Sequence, residues 1–291
     1  MNYLLYLLQY WIIINQSNMK KVAVLFFALA VLALPSCKNQ NKQAEADADN
    51  KEVSVKETYV TEELKLNLQK LLEDSKEMKN TAFIKKSDNG AFSLSDEEKM
   101  VKPDYLLAAN AADNLVTLAQ KYRILTMLGV DKTVADLYEM PLDEYDAAIS
   151  KLVVDVNDPA LKAFTDVDVN DAEAVKAAVN AFVAAEYDAC RANFVWEAVA
   201  AGLVEQLYVL TQNIDKFMPM FDDQAVTDLT FDFICIHEGI MSLQEFYPEM
   251  ESLNTVLLPL YVINAISVDQ FKSQLLDLKD DIAAARAALL Q

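Results

Sequence analysis

The chain holds one histidine, His237, and three cysteines, Cys37, Cys190 and Cys235. This inventory limits nucleophilic chemistry, because a serine or cysteine nucleophile would find only His237 as its usual base. No G-x-S-x-G turn, P-loop or G-x-G-x-x-G run occurs, and four glycines leave little material for phosphate-cradling loops. His237 stands between Ile236 and Glu238, where a zinc-protease helix would need a second histidine at the position of Met241. Cys235, His237 and Glu238 are zinc-binding types at a spacing that matches no ligand set. A histidine and a cysteine packed near a helix end are therefore expected, with no metal or other cofactor. Cys190 and Cys235 fall on different predicted helices. They would bond only if those helices touched there, and the alternative is two separate buried thiols.

The remaining candidates are charges set into apolar helices. Arg123 lies in the helix of Leu118 and Leu125, and Arg191, Glu197 and Glu205 punctuate the most apolar stretch, from Ala189 to Leu210. Charges at such positions are costly unless paired, so internal salt bridges are the first expectation. The functional alternative is a cavity in which Arg123, Arg191, Glu197 and Glu205 hold a polar or charged ligand, with Tyr187, Phe194, Trp196 and Tyr208 supplying apolar contact. A carboxylate pair such as Glu197 and Glu205 could also do acid and base work as in a glycosidase, although nothing in the sequence sets a working separation. No catalytic residue is assigned.

The elements that would position these groups are helices. Few glycines and prolines, with abundant Ala, Leu, Val, Asp, Glu and Lys, predict an all-α domain over residues 61–291, with a long central helix and about seven helices in a bundle-like arrangement. A first helix is predicted from Glu62 to Lys79, with Thr61 as cap and Leu64, Leu68, Leu71, Leu72 and Met78 near one side. A turn at Asn89 and Gly90 and a helix start at Ser95 follow, so a small N-terminal hairpin is allowed for. Apolar recurrence predicts a helix from Tyr105 to Leu128 ended by Gly129, another from Asp131 to Tyr138, and a third from Asp143 to Val154. Asn157, Asp158 and Pro159 then turn the chain into a short helix. The longest predicted element runs unbroken from Asp171 to Asn213. Its charged residues exclude it as a membrane span. Helices at 222–238, 241–265 with breaks near Pro248 and Pro259, and 267–290 complete the set, the last capped by Ser267 with Gln270. No repeat of fixed period and no sustained heptad is present.

The amino-terminal residues read as targeting sequence. Met19, Lys20 and Lys21 precede thirteen apolar residues from Val22 to Leu34, and then come Pro35, Ser36 and Cys37. The run is short of the roughly 20 apolar residues that span a bilayer. Leu34 to Cys37, LPSC, resembles the lipobox of bacterial lipoprotein precursors, with Leu34 at the preferred aliphatic position and Ser36 at the small one. Pro35 departs from the commoner small or aliphatic residue. The resemblance covers the signal only. It implies cleavage before Cys37 and acylation of that residue, so that residues 1–36 form a leader and lipoprotein signal and Met19 reads as the true start. Two or three acyl chains attach a protein stably to a bilayer. Residues 37–60 are polar, with little to bury, and read as a tether. Lys38 stands where such precursors often carry an inner-membrane retention aspartate, which leans toward an outer-membrane lipoprotein facing the periplasm or the cell surface.

The chain has 25 basic and 45 acidic residues, a net charge of −20, and loss of the signal would remove two bases and no acid. Such a surface repels nucleic acid and anionic headgroups. The expectation is an envelope lipoprotein, held to a lipid bilayer through Cys37, that acts without catalysis by binding a small ligand or other envelope proteins. A carboxylate-dependent hydrolase or carbohydrate-active enzyme and a structural envelope protein are the alternatives.

Overall fold

The computed structural model describes residues 62–73, 86–87, 90–91, 94–168, 171–244 and 246–291. The segments read as signal and tether, with Cys37, Thr61, Met78 and Asn89, lie outside the described residues. The described part is helical apart from a two-residue antiparallel pair, β1 (Lys86–Ser87) and β2 (Gly90–Ala91), in which Lys86 faces Ala91 and Ser87 faces Gly90. Helix α1 covers 62–73 and buries Leu64, Leu68, Leu71 and Leu72, the face predicted from the leucine spacing. A capping box between Ser95 and Glu98 starts α2 (Asp96–Met100).

Two long helices form the centre. Helix α3 (Leu118–Leu137) begins at a Thr117–Gln120 capping box. The segment before it, predicted as helix from Tyr105, is instead irregular, with a 3-10 turn over Ala109–Ala112 and Asn114 in the left-handed region at φ 60°. Gly129 does not end the helix. The apolar face continues through Met127, Leu128, Val134 and Ala135, all buried, and this packing outweighs glycine's cost of about 1 kcal/mol in a helix interior.

Helix α4 (Asp143–Val156) ends at Asn157, left-handed at φ 54°, and Asp158 caps α5 (Pro159–Thr165) with the proline in the first turn. The predicted element from Asp171 to Asn213 is two helices, α6 (Ala172–Asp188) and α7 (Ala192–Gln212). Cys190 breaks it, left-handed at φ 56°, with the Arg191 N–H donating to the Glu186 carbonyl at 2.8 Å. No glycine or proline marks this break. Side-chain bonds of Arg191, described below, hold it.

Helix α7 is the long central helix and is buried on nearly every side, packed by α3, α6 and three later helices, α9 (Asp223–Leu243), α11 (Val268–Asp277) and α12 (Lys279–Leu289). Among the described residues it is the one helix long and apolar enough to cross a membrane, and 78% of that stretch is buried inside the protein. Trp196, Leu207 and Leu210 of α7 and Met127 and Leu128 of α3 are fully buried, and full burial of a large aliphatic side chain contributes about 1.5–3 kcal/mol. The intervening elements are α8 (Ile214–Phe217), α10 (Met250–Leu257) and 3-10 turns at Met218–Met220 and Leu258–Val262. Ser267 accepts from the Gln270 N–H at the start of α11, one half of the expected capping box, while Gln270 Oε1 accepts from the Ile266 N–H, and Leu278 divides the last helix in two. Among the described residues there are twelve α-helices, more than the seven expected, because several continuous patterns are broken.

Candidate functional site

The four charges singled out from sequence fall into three ionic clusters that share no partner with one another. In the first, Glu205 of α7 is fully buried and receives both arms of Arg286 from α12, Nε to Oε2 at 2.7 Å and Nη2 to Oε1 at 2.8 Å. The guanidinium lies 4.0 Å from the Tyr208 ring centroid and also donates to the Tyr105 carbonyl. Asp131 of α3, fully buried beside them, accepts from the Leu107 N–H at 2.7 Å. Burial and the neighbouring Glu205 carboxylate push the Asp131 carboxyl up to about 9.

In the second cluster Arg191, at the start of α7, reaches both Glu186 oxygens at 3.1 Å and also bonds Asp158. The other Asp158 oxygen caps α5 through the N–H groups of Ala160 and Leu161. One guanidinium thus ties together the start of α5, the end of α6 and the start of α7. Burial, with Asp158 alongside, pushes Glu186 up to about 7. In the third, Arg123 of α3 meets Glu197 of α7 at 2.6 Å and donates to the Leu289 carbonyl of α12 at 2.9 Å. Burial raises the Glu197 pKa in spite of Arg123.

Sequence reasoning found both members of the third cluster and one member of each of the other two, and missed Asp131, Arg286, Glu186 and Asp158. The signal for Asp131 was its place in the buried row of α3, three residues after Leu128 and three before Val134. The misplaced break at Gly129 hid it. The aromatic contributions are also separate. Tyr208 covers Arg286, Phe194 stacks on Tyr122 at 6.2 Å, and Trp196 Nε1 donates to the Tyr187 hydroxyl at 3.4 Å.

Cys235 is half-buried on α9 and not disulfide-bonded, so the Cys190–Cys235 bridge considered from sequence is not formed. Cys190 occupies the turn between α6 and α7 and is exposed there, not buried as the two-thiol expectation had it. His237 is partly buried on α9, its ring stacked on Tyr261 at 3.7 Å, and burial lowers its pKa. Among the described residues, no three His, Cys, Asp or Glu side chains are grouped to hold a metal ion.

A cleft of about 280 Å³ opens between α1 and α9. Glu63, Leu64 and Asn67 line it from α1, and His237, Glu238, Met241 and Ser242 from α9. None of the four sequence-selected charges reaches it. The molecule thus combines an all-α body, ion pairs within its core and an acidic cleft on its outside. Comparison with protein families, with curated proteins and with solved structures finds no match to this chain.

Proposed function

We propose that the chain is an envelope-anchored lipoprotein, acylated at Cys37, whose helical body acts by binding other envelope proteins or a small ligand and not by catalysis. The observation that carries this reading is the disposition of charge. Arg123 and Arg286 each bond a carboxylate of α7 from another helix, and Arg191 bonds both Glu186 of α6 and the α5 cap Asp158, which makes these groups braces of the scaffold. The solvent-open cleft lies elsewhere, and its acidic groups belong to the surface. The hydrolase alternative has its best candidate in Asp131 and Glu205, a close carboxyl pair with one raised pKa. Both are fully buried beneath Arg286 and Tyr208, so a substrate would have to open the core to reach them.

Metabolic labelling with an alkyne analogue of palmitate, in a Gram-negative host expressing the full chain, tests the anchor. The parent is expected to carry label and to sediment with the outer membrane, while Cys37→Ala carries none and becomes soluble. Equal labelling of the two proteins would sink the assignment.

A further inference from the structure

We infer that the cleft between α1 and α9, with the apolar strip beside it, is a docking site for a basic amphipathic helix of a partner protein; this rests on the binding reading above and specifies its partner. The solvent-facing row of α9 carries Phe231, Ile234 and Met241, exposed by 46%, 38% and 46%, where a helix turned to water ordinarily carries polar residues. Asn254 donates to the Met241 sulfur at 3.2 Å and Tyr261 stacks on His237, so α10 and the 3-10 turn after it border this row. Leu258 in that turn is also exposed, by 60%. From Phe231 to Met241 the strip extends about 15 Å at the helical rise of 1.5 Å per residue, which suits two to three turns of a partner helix.

Charge selects the occupant. The cleft has apolar walls in Leu64 and Met241, and it has two exposed carboxylates, Glu63 and Glu238, with no ion pair among the described residues. A lysine or arginine side chain fits that combination, its alkyl stem on the apolar wall and its charged head at the carboxylates. Lys70 of α1 already lies over the Phe231 ring at 4.5 Å, so an aromatic face of the strip accepts a cation. A second copy of a chain with net charge −20 is repelled, as is an anionic lipid surface.

The probe is a fluorescein-labelled peptide of about four helical turns, with leucine at i, i+3, i+4 and i+7 and lysine elsewhere. Its anisotropy is read on the full chain, beside a scrambled peptide of the same composition and a version with glutamate for lysine. The amphipathic lysine peptide is expected to bind, the glutamate version not to bind, and the scrambled one to bind at least tenfold more weakly. Met241→Asp and the double variant Glu63→Lys/Glu238→Lys should each weaken binding at least tenfold. A charge-matched double variant on α4, Glu144→Lys/Asp155→Lys, should bind like the parent. Equal loss in the α4 variant, or equal binding of the scrambled peptide, would reduce the effect to bulk charge and overturn the site. A dimer in sedimentation that Met241→Asp dissolves would reassign the strip to self-association. If the parent ignores every peptide, the docking site falls while the acylation test stands; if Cys37 takes no label, the anchor falls while peptide binding stands.

Discussion

Arg286 is the residue on which the buried carboxyl pair depends. It supplies two hydrogen bonds to fully buried Glu205 and sits next to Asp131, so removing it leaves carboxyl groups in the core with no cation. Breaking one side of a buried pair typically costs about 3–5 kcal/mol, far more than the net worth of an exposed bridge. Arg286→Met, which keeps much of the apolar stem, is therefore expected to lower stability in urea by about that amount. Lys151→Met, which breaks the exposed pair with Asp113, should leave it almost unchanged. A loss below about 1 kcal/mol for Arg286→Met would mean that the pair contributes no more than a surface contact.

Two helical glycines separate helix propensity from helix packing. At Gly239 of α9 an added Cβ would stand 2.3 to 2.8 Å from three atoms of the Trp196 ring, which is fully buried and has no room to move. At Gly129 of α3 an added Cβ meets nothing within 4 Å. Alanine gains roughly 0.5–1 kcal/mol over glycine in a helix interior, whereas overpacking a core costs about 1–3 kcal/mol. Gly129→Ala should raise the melting temperature and Gly239→Ala should lower it. A rise in both would show that α9 can retreat from α7 at little cost. The same closeness occurs at Gly202, where a Cβ would stand 2.6 Å from Thr126 Cγ2, and it sets how nearly α3 and α7 approach. Sequence indicated that α7 would be enclosed, through its apolar residues on several sides, but not which glycine faces which neighbour.

At the scale of the whole molecule, stability follows the carboxyl groups held above their ordinary values. Glu186 rises from 4.5 to about 7 and Asp131 from 3.8 to about 9. A raised acid binds its proton more tightly in the folded state, so its stabilising effect is full below the unfolded pKa and is lost as pH rises through the folded one. Exposed Glu98 and Glu139 are shifted the other way, by hydrogen bonds from Ser95 and from Lys99, and their effect is lost as pH falls below their ordinary range. The urea midpoint is therefore expected to be highest near pH 4.5 and to decline toward pH 9. Glu186→Gln should flatten the part of that decline below pH 7 and leave the part above it. A midpoint that climbs from pH 4.5 to 9 would rule out both groups as the controlling titrations.

Composition and local spacing determined the all-α class, the buried leucine face of α1, the capped starts at Ser95, Asp158 and Ser267, the net charge and the signal-like run ending at Cys37. These are short-range properties, set by residues within one helical turn or by simple sums over the chain. Tertiary structure alone decided that α3 runs through Gly129, that Cys190 divides α6 from α7, that Asp131, Glu186, Asp158 and Arg286 complete two of the ionic clusters, and that Arg123 and Glu197 pair as the third. The physical reason is distance along the chain. Arg286 and Glu205 stand 81 residues apart and Arg123 and Glu197 74, and a buried charge shows which partner it needs only once packing has brought the helices together.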